Sequence, residues 1–324
     1  MAKKSMSKPI RIGFIGDVMI GRLVNEKLRQ VNPEYIFGTV LPLMQNCDAV
    51  IANLEAALTH SESAVTKVFN FKSDPAHVKC LKIANIQAVN LANNHVLDYS
   101  QKGLLETLNT LEKAGITYVG AGKNSHEAKE IKVLHVRDCK IALLGYTDNE
   151  PGWIATENRP GTNFITIGTD IASDIAAAKK AADIVIVSLH WGPNMVERPP
   201  ETFIRFAHHL IDQGVDVIHG HSAHIFQGVE VYKNRYILYD CGDFVDDYYV
   251  DPFLRNDRSF FFELELTGSK PIKLTMRPVL IQDCQVNLAN DQDQQETLDR
   301  MKALSLSLGT YLVEDIGTLI ARCD

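Results

Sequence analysis

The 324 residues carry 33 Lys and Arg against 40 Asp and Glu, a formal net charge of −7, and 45% of them are hydrophobic. That balance excludes a nucleic-acid footprint, which needs a basic patch or stripe, and it leaves ample apolar material for a sizeable core. Six cysteines (Cys47, Cys80, Cys139, Cys241, Cys284, Cys323) form no CxxC pair, which favours buried thiols in a reducing compartment over a disulfide framework.

In chain order, the opening MAKKSMSKPI is basic and polar. No secretory apolar region precedes the first strand, and IRIGFIGDVMIG is too short and interrupted to span a bilayer, so a cytoplasmic protein without a membrane anchor is expected. IRIGFIG reads as a strand, residues 20–30 as a helix closed by Asn32-Pro33, and AVIANLE as a second strand entering a polar loop from Thr59 to Lys67. After Asp74-Pro75 a short helix over about 76–84 precedes the strand AVNLA. Lys102 to Lys113 repeats leucine at helical spacing and stops at Gly115, predicting an amphipathic helix, with ITYVGAG following as a strand.

IKVLHV and KIALLGY predict a hairpin about Arg137-Asp138. Residues 148–166 lack periodicity and contain Pro151, Gly152, Trp153, Pro160 and Gly161, the signature of a lid or binding loop; Trp153 either lines a pocket or anchors the loop. Asp170 to Ala182 and Glu201 to Gln213 predict helices, ADIVIVSLH and VDVIHG strands. From Gly228 the chain turns β-branched and aromatic, broken by Lys233-Asn234 and Gly268-Ser269, which is antiparallel hairpin chemistry. The tail from Asp291 is polar, then helical, with Leu298, Met301, Leu304, Leu306 and Leu308 as its apolar side. With no repeat or linker, a single domain over residues 1–324 is expected, of mixed sheets flanked by helices.

Six polar clusters each follow a buried-strand pattern: Gly16-Asp17, Asn53-Leu54-Glu55, Asn94-His95, His190-Trp191-Gly192, Gly220 to His224, and Gly242-Asp243-Phe244. In an open α/β sheet, ligands bind beyond the carboxyl ends of the strands. Gathered there, Asp, Glu, Asn and His suit metal coordination or acid–base chemistry. Asp17 reads as a ligand or as a helix N-cap, with Gly16 permitting a sharp exit from the strand. Glu55 can bridge two cations, the alternative being an exposed loop carboxylate, and Asn53 can support it or the substrate. Asn94 can offer a carbonyl oxygen to a metal while His95 faces the substrate as a proton donor, unless the Asn-Asn-His segment is only a backbone turn.

Asp98 either orients His95 or caps a helix. His190 is a ligand or a hydrogen-bonded core histidine, with Trp191 beside it. His221 and His224 are spaced for presentation by one tight turn. His219 reads as buried or supporting, and His208-His209 as ordinary helix residues. Arg22 is a phosphate or carboxylate clamp or a helix-surface charge. The nitrogen and oxygen donors suit one or two ions of Mn, Fe, Zn or Co.

At these residues the chain resembles the CapA family of capsule and poly-γ-glutamate biosynthesis, within the calcineurin-like metallophosphoesterase superfamily. The matches are GDVMIGR at 16–22, ANLE at 52–55, LANNHVLDYS at 91–100, SLHWG at 188–192, GHSAHIFQGVEVY at 220–232 and YDCGDFV at 239–245. They fall in the family's order over a motif core of about 10–266, leaving 267–324 as a β-rich and helical C-terminal part.

The resemblance implies a four-layer αββα sandwich of two mixed sheets flanked by helices. It implies Asp17, Glu55 and His224 around one metal position and Glu55, Asn94, His190 and His221 around the other, with His95 as general acid. The function implied is a metal-dependent hydrolase whose activated hydroxide attacks a phosphoester or related bond in a small-molecule or polymeric acidic substrate. The alternative is an accessory or binding protein of capsule or poly-γ-glutamate synthesis with little or no phosphatase activity. The chain departs from the usual pattern in carrying Met19 where the superfamily has a histidine, Glu55 for the bridging Asp, and GHSAH and YDCGDFV for GHHPH and YSLGNFV. Asp240 and Asp243 thereby add acidity near the site.

Overall fold

The computed structural model describes residues 8–323; residues 1–7, the basic start of the opening segment, lie outside the described residues. Four parallel strands run side by side in the first sheet: Ile10–Val18, Ala49–Leu54, Ile86–Asn90 and Thr117–Val119. Their runs are apolar without alternation because both faces are covered. On the other flank, Arg258–Thr267 pairs antiparallel with residues 10–14, and Lys270–Gln282 and Thr318–Arg322 continue the sheet. The short strand Asp243–Val245 takes over beside the carboxyl end of Ile10–Val18, in parallel.

In the second sheet, Ile184–His190 lies between Cys139–Thr147 and Val217–His221, all parallel, and Arg235–Leu238 extends it. Hairpins close both edges, with Lys132–Val136 on one side and Val229–Tyr232 on the other. The turns fall at Arg137-Asp138 and Lys233-Asn234, and Arg137, Lys233 and Asn234 all have positive φ, as hairpin turns require.

The sheets stack face to face. Ile12, Phe14 and Ile51 from one meet Ile141, Ile186 and Tyr236 from the other, all essentially solvent-free. Each such side chain contributes about 1.5–3 kcal/mol, so the seam fixes where the strands end. Helix Ser100–Ala114 covers the outer face of the first sheet through Leu104, Leu108 and Leu111, and ends on Gly115 with φ 71°. Ala172–Ala181 and Glu201–Gln213 cover the second sheet through Ile175, Phe206 and Leu210. The result is helix, sheet, sheet, helix: the four-layer α/β sandwich expected.

Two local expectations change. The C-terminal helix Asp291–Ser307 buries Leu298, Met301 and Leu304 but leaves Leu306 exposed, because its apolar stripe is narrower than the leucine pattern suggests. Within 148–166 the chain makes one tight turn at Pro151–Trp153 and a short pairing of Gly161–Thr162 with Ala121–Gly122. Trp153 packs on the outer core of the first sheet and lies under the Lys67 ammonium, 4.8 Å from ring centroid to Nζ, so it anchors the loop. Cys47, Cys80, Cys139 and Cys241 are buried thiols. Among the described residues no helix is long and apolar enough to cross a membrane.

Candidate metal centre

Register sets the site. Asp17 pairs with Asn53 on one side and Asp243 on the other, and Asn53 pairs with Asn90, so one row of polar residues crosses the end of the first sheet. In the second sheet His190 pairs with His221. Gly16 lets the chain at Gly242 come close, since a Cβ there would lie 1.7 Å from the Gly242 carbonyl oxygen, and this sets Asp243 beside Asp17. The strand does not exit sharply at Gly16; it runs on to Val18, and the glycine is needed for space. Nor does Asp17 cap a helix, since Arg22–Leu28 starts after Gly21 with no side-chain cap.

Asn53 ties the row together. Its Nδ2 donates to Asp17 Oδ1 at 2.7 Å and lies 3.3 Å from His190 Nδ1, while its Oδ1 accepts from Asn93 at 3.1 Å and Asn90 at 3.4 Å. Asn93 Oδ1 in turn accepts from the backbone N–H groups of His95 and Val96, shaping the turn that carries Asn94 and His95. His190 Nε2 meets Asn94 Oδ1 at 3.0 Å, and its Nδ1 lies 3.0 Å from His221 Nδ1. Ser188 Oγ holds His221 Nε2 at 3.0 Å and also contacts His219, whose other nitrogen donates to the Ile15 carbonyl across the sheets.

The turn carrying His221 and His224 is conformationally demanding, with Ser222 at φ 121° and His224 at φ 62°. Asp240 secures it, accepting from the N–H groups of Ala223 and Gly242. His224 Nδ1 reaches Asp243 Oδ1 at 2.9 Å and Asp17 Oδ2 at 3.8 Å. Two groups of potential ligand atoms therefore form, each within 4.8 Å: Asp17 with His190 and His221, and Asp17 with Glu55, His224 and Asp243. Asp17 is common to both, and Glu55 Oε1 lies 3.9 Å from His190 Nε2.

Electrostatics follow from burial. Burial pushes Asp17 up to about 6, although His224, Asn53 and the Ser222 N–H oppose it. Burial and the neighbouring Asp17 carboxylate raise Glu55 well above the usual carboxylate range. His190 and His221 are driven well below the histidine range by burial first, with His224 and His95 adding to it at His190 and His219 and His190 at His221, leaving neutral rings with a lone pair to offer. Burial alone would lower His224, but Asp243, Glu55 and Asp17 raise it well above the histidine range. Asp17 Oδ2, both oxygens of Glu55 and Asp243 Oδ2 are buried without a hydrogen-bond partner. Buried, unpartnered carboxylate oxygens are costly, and a proton or a divalent cation would relieve that cost. The donor set fits such an ion.

His95 stands at the rim. Its Nδ1 bonds Asp98 Oδ2 at 2.6 Å, its ring stacks on Phe71 at 3.8 Å, and Nε2 lies 3.9 Å from Glu55 Oε1. Asp98 accepts also from the Phe71 N–H and from Lys67, which in addition donates to the Asn94 carbonyl. Asp98 thus orients His95, and the following helix begins after Tyr99. Above lies a cleft of about 680 Å³ walled in part by Arg22, Lys67, Phe69, His95, His224 and Tyr248. Arg22 is no outward helix charge: its guanidinium carbon sits 5.4 Å from the Phe69 ring centroid and 5.8 Å from that of Phe71, with Nε 3.4 Å from Asp247.

Trp191 is not in the cleft; it is buried against Phe203 and Phe206 and donates to the Tyr239 carbonyl. His208 pairs with Glu230 and stacks on Tyr232, and His209 contacts Gln213, both apart from the cluster. Sequence reasoning missed Lys67, a lone lysine in a polar loop with no pattern to mark it, and it placed Asp243 near the site through YDCGDFV without pairing it with His224.

The family model described as bacterial capsule synthesis protein PGA_cap matches residues 11–248. The chain is 31% identical over 291 residues to the capsule biosynthesis protein CapA of Bacillus anthracis, covering 87% of this chain and 70% of that protein. It is 31% identical over 318 residues to a probable polyglutamine synthesis accessory protein of Mycobacterium tuberculosis, covering 92% and 84%. A crystal structure of a phosphatase from Mycoplasma pneumoniae superposes with a TM-score of 0.50 at 15% identity, over 84% of this chain and 94% of that one. The fold is that of the calcineurin-like metallophosphoesterases.

Proposed function

The chain belongs to the bacterial capsule synthesis protein family, and on that premise we propose that it is a metal-dependent hydrolase of the metallophosphoesterase type, acting on a phosphoester or a related acyl or amide bond. The observation that carries this reading is the set of buried, unpartnered carboxylate oxygens on Asp17, Glu55 and Asp243 beside the neutral imidazoles of His190 and His221. Asp17, Glu55 and His224, with Asp243, would hold one cation; His190 and His221, with the shared Asp17 carboxylate and Asn94 beside them, would hold a second. When bound, such ions supply Lewis-acid polarisation and a nucleophile drawn from water at neutral pH.

The chain's own groups do the rest. Burial lowers the His95 pKa and Asp98 opposes it by accepting a hydrogen bond from Nδ1–H; with Nδ1 committed to Asp98, Nε2 is the atom left to give a proton to the leaving oxygen. Phe71 under the ring keeps it from swinging away. Arg22 and Lys67 line the cleft and can hold an anionic group against the aromatic wall of Phe69, Phe71 and Tyr248. Asn53 holds Asp17 and His190 at fixed separation.

The test is metal analysis of the purified protein followed by assay of aryl phosphate mono- and diesters with added Mn²⁺. Turnover dependent on the ion is expected; protein that takes up no ion and stays inert with each one ends the hydrolytic reading. A second reading, a binding protein that cradles an acidic polymer in capsule or poly-γ-glutamate synthesis, is favoured by one feature. The cleft pairs Arg22 with exposed Phe69 and Tyr249, a surface suited to holding a chain. Saturable binding of an acidic polymer without any turnover would select it.

A further inference from the structure

We propose that the two cation positions are chemically unequal, and that Asp243 is the ligand that makes the position at Asp17, Glu55 and His224 an oxygen-rich site for a hard cation of the Mn²⁺ class. The position at His190 and His221 is then the nitrogen-rich site for a Zn²⁺-class ion. This rests on the metal-binding reading above and goes further by assigning the ligand and the type of ion at each position.

The donor sets differ. One group offers three carboxylates and one imidazole, the other one carboxylate and two imidazoles. Carboxylate oxygen suits Mg, Ca and Mn, whereas imidazole suits Zn, Cu, Fe and Ni. On the nitrogen side, Ser188 occupies His221 Nε2, so His221 Nδ1 is the atom turned toward His190 Nδ1 at 3.0 Å and Asp17 Oδ1 at 3.6 Å. Two neutral rings with nitrogens this close suit a shared cation.

On the oxygen side, Asp243 sits directly across the ladder from Asp17, and both are fully buried. Like charges facing each other on adjacent strands are destabilising, more so without solvent. The nearby cation is the His224 imidazole, on Asp243 Oδ1, which leaves Asp243 Oδ2, Asp17 Oδ2 and both Glu55 oxygens unpartnered. Met19 contributes nothing there, since its sulfur accepts the Gly21 N–H at 3.2 Å.

A competing role for Asp243 is to orient His224 through the 2.9 Å bond alone. Asp243→Asn separates the two. Its amide oxygen can still accept from His224 Nδ1 and its volume is unchanged, but the charge and the second carboxylate oxygen are gone. Chelator-stripped protein is loaded with one equivalent of Zn²⁺ and then titrated with Mn²⁺, followed by electron paramagnetic resonance and elemental analysis. The wild type is expected to hold one zinc and one manganese per chain. Asp243→Asn should keep the zinc and lose at least tenfold in Mn²⁺ affinity, and His221→Ala should lose zinc while binding Mn²⁺ as before.

Equal Mn²⁺ affinity in wild type and Asp243→Asn overturns the ligand assignment. A wild type that binds zinc but no manganese overturns the assignment of a Mn²⁺-class ion to the oxygen-rich position while leaving metal binding intact. Protein that binds neither ion removes the metal reading itself.

Discussion

His95 is fixed from three directions, by the Asp98 carboxylate, the Phe71 ring and the backbone turn shaped by Asn93, yet it belongs to neither group of clustered ligand atoms. A side chain so constrained at a cleft rim suits proton transfer, which contributes about 10²–10⁴-fold to a rate. His95→Ala is accordingly expected to lower turnover of an aryl phosphate by that factor with bound metal unchanged by elemental analysis. Loss of metal along with activity would make His95 a ligand, and unchanged turnover would remove it from the chemistry. Lys67 acts through the same residue: by neutralising Asp98 it tempers how strongly that carboxylate draws on the His95 proton.

At the scale of elements, the site depends on two strands and two loops approaching more closely than side chains allow. Gly16 faces the Gly242 carbonyl, and a Cβ on Gly220 would lie 2.0 Å from the Tyr239 carbonyl oxygen. Backbone cannot retreat from such a clash without opening the ladder. Gly16→Ala should therefore cost about 3 kcal/mol or more in urea unfolding, at the upper end for overpacking, and should weaken metal uptake as Asp17 shifts; a variant as stable as the wild type would show that the strand ends slide freely. Much of this was legible in the sequence. Apolar runs ending in Asp, Asn or His mark the strand ends, and the helix expected over Glu201 to Gln213 has those bounds, with Gly214 at φ 112° closing it. What stayed hidden was register. Which carboxylate faces which is decided by pairing across strands far apart in the chain, so Asp243 opposite Asp17 and Lys67 on Asp98 left no local pattern. Trp191 misled for the opposite reason: adjacency to His190 in sequence places it on the other face of the strand, in the outer core.

For the whole molecule, the cluster lies where the sheets join. Asp17, Asn53 and Asp243 come from the first sheet, and His190 and His221 from the second. Between them the hydrogen bond from His219 to the Ile15 carbonyl is already a cross-sheet tie. Bound cations would link the same two layers, so metal binding and folding stability should be coupled. A ligand that binds the native state alone stabilises it by RT ln(1 + [L]/Kd), about 2.7 kcal/mol at a hundredfold excess over Kd. With an unfolding entropy of about 2.1 cal/mol/K per residue, that corresponds to roughly 4 °C in melting temperature for a chain of this length. Chelator-treated protein is thus expected to melt lower, and the melting temperature to climb with the logarithm of added Mn²⁺ or Zn²⁺. The replacement His190→Ala, which takes a ligand from the second sheet alone, should flatten the Zn²⁺ response, because the ion can no longer join the layers. A melting temperature insensitive to every divalent ion would mean that the buried carboxylates of Asp17, Glu55 and Asp243 are neutralised by protons, and the two sheets would then meet at a polar seam without a metal.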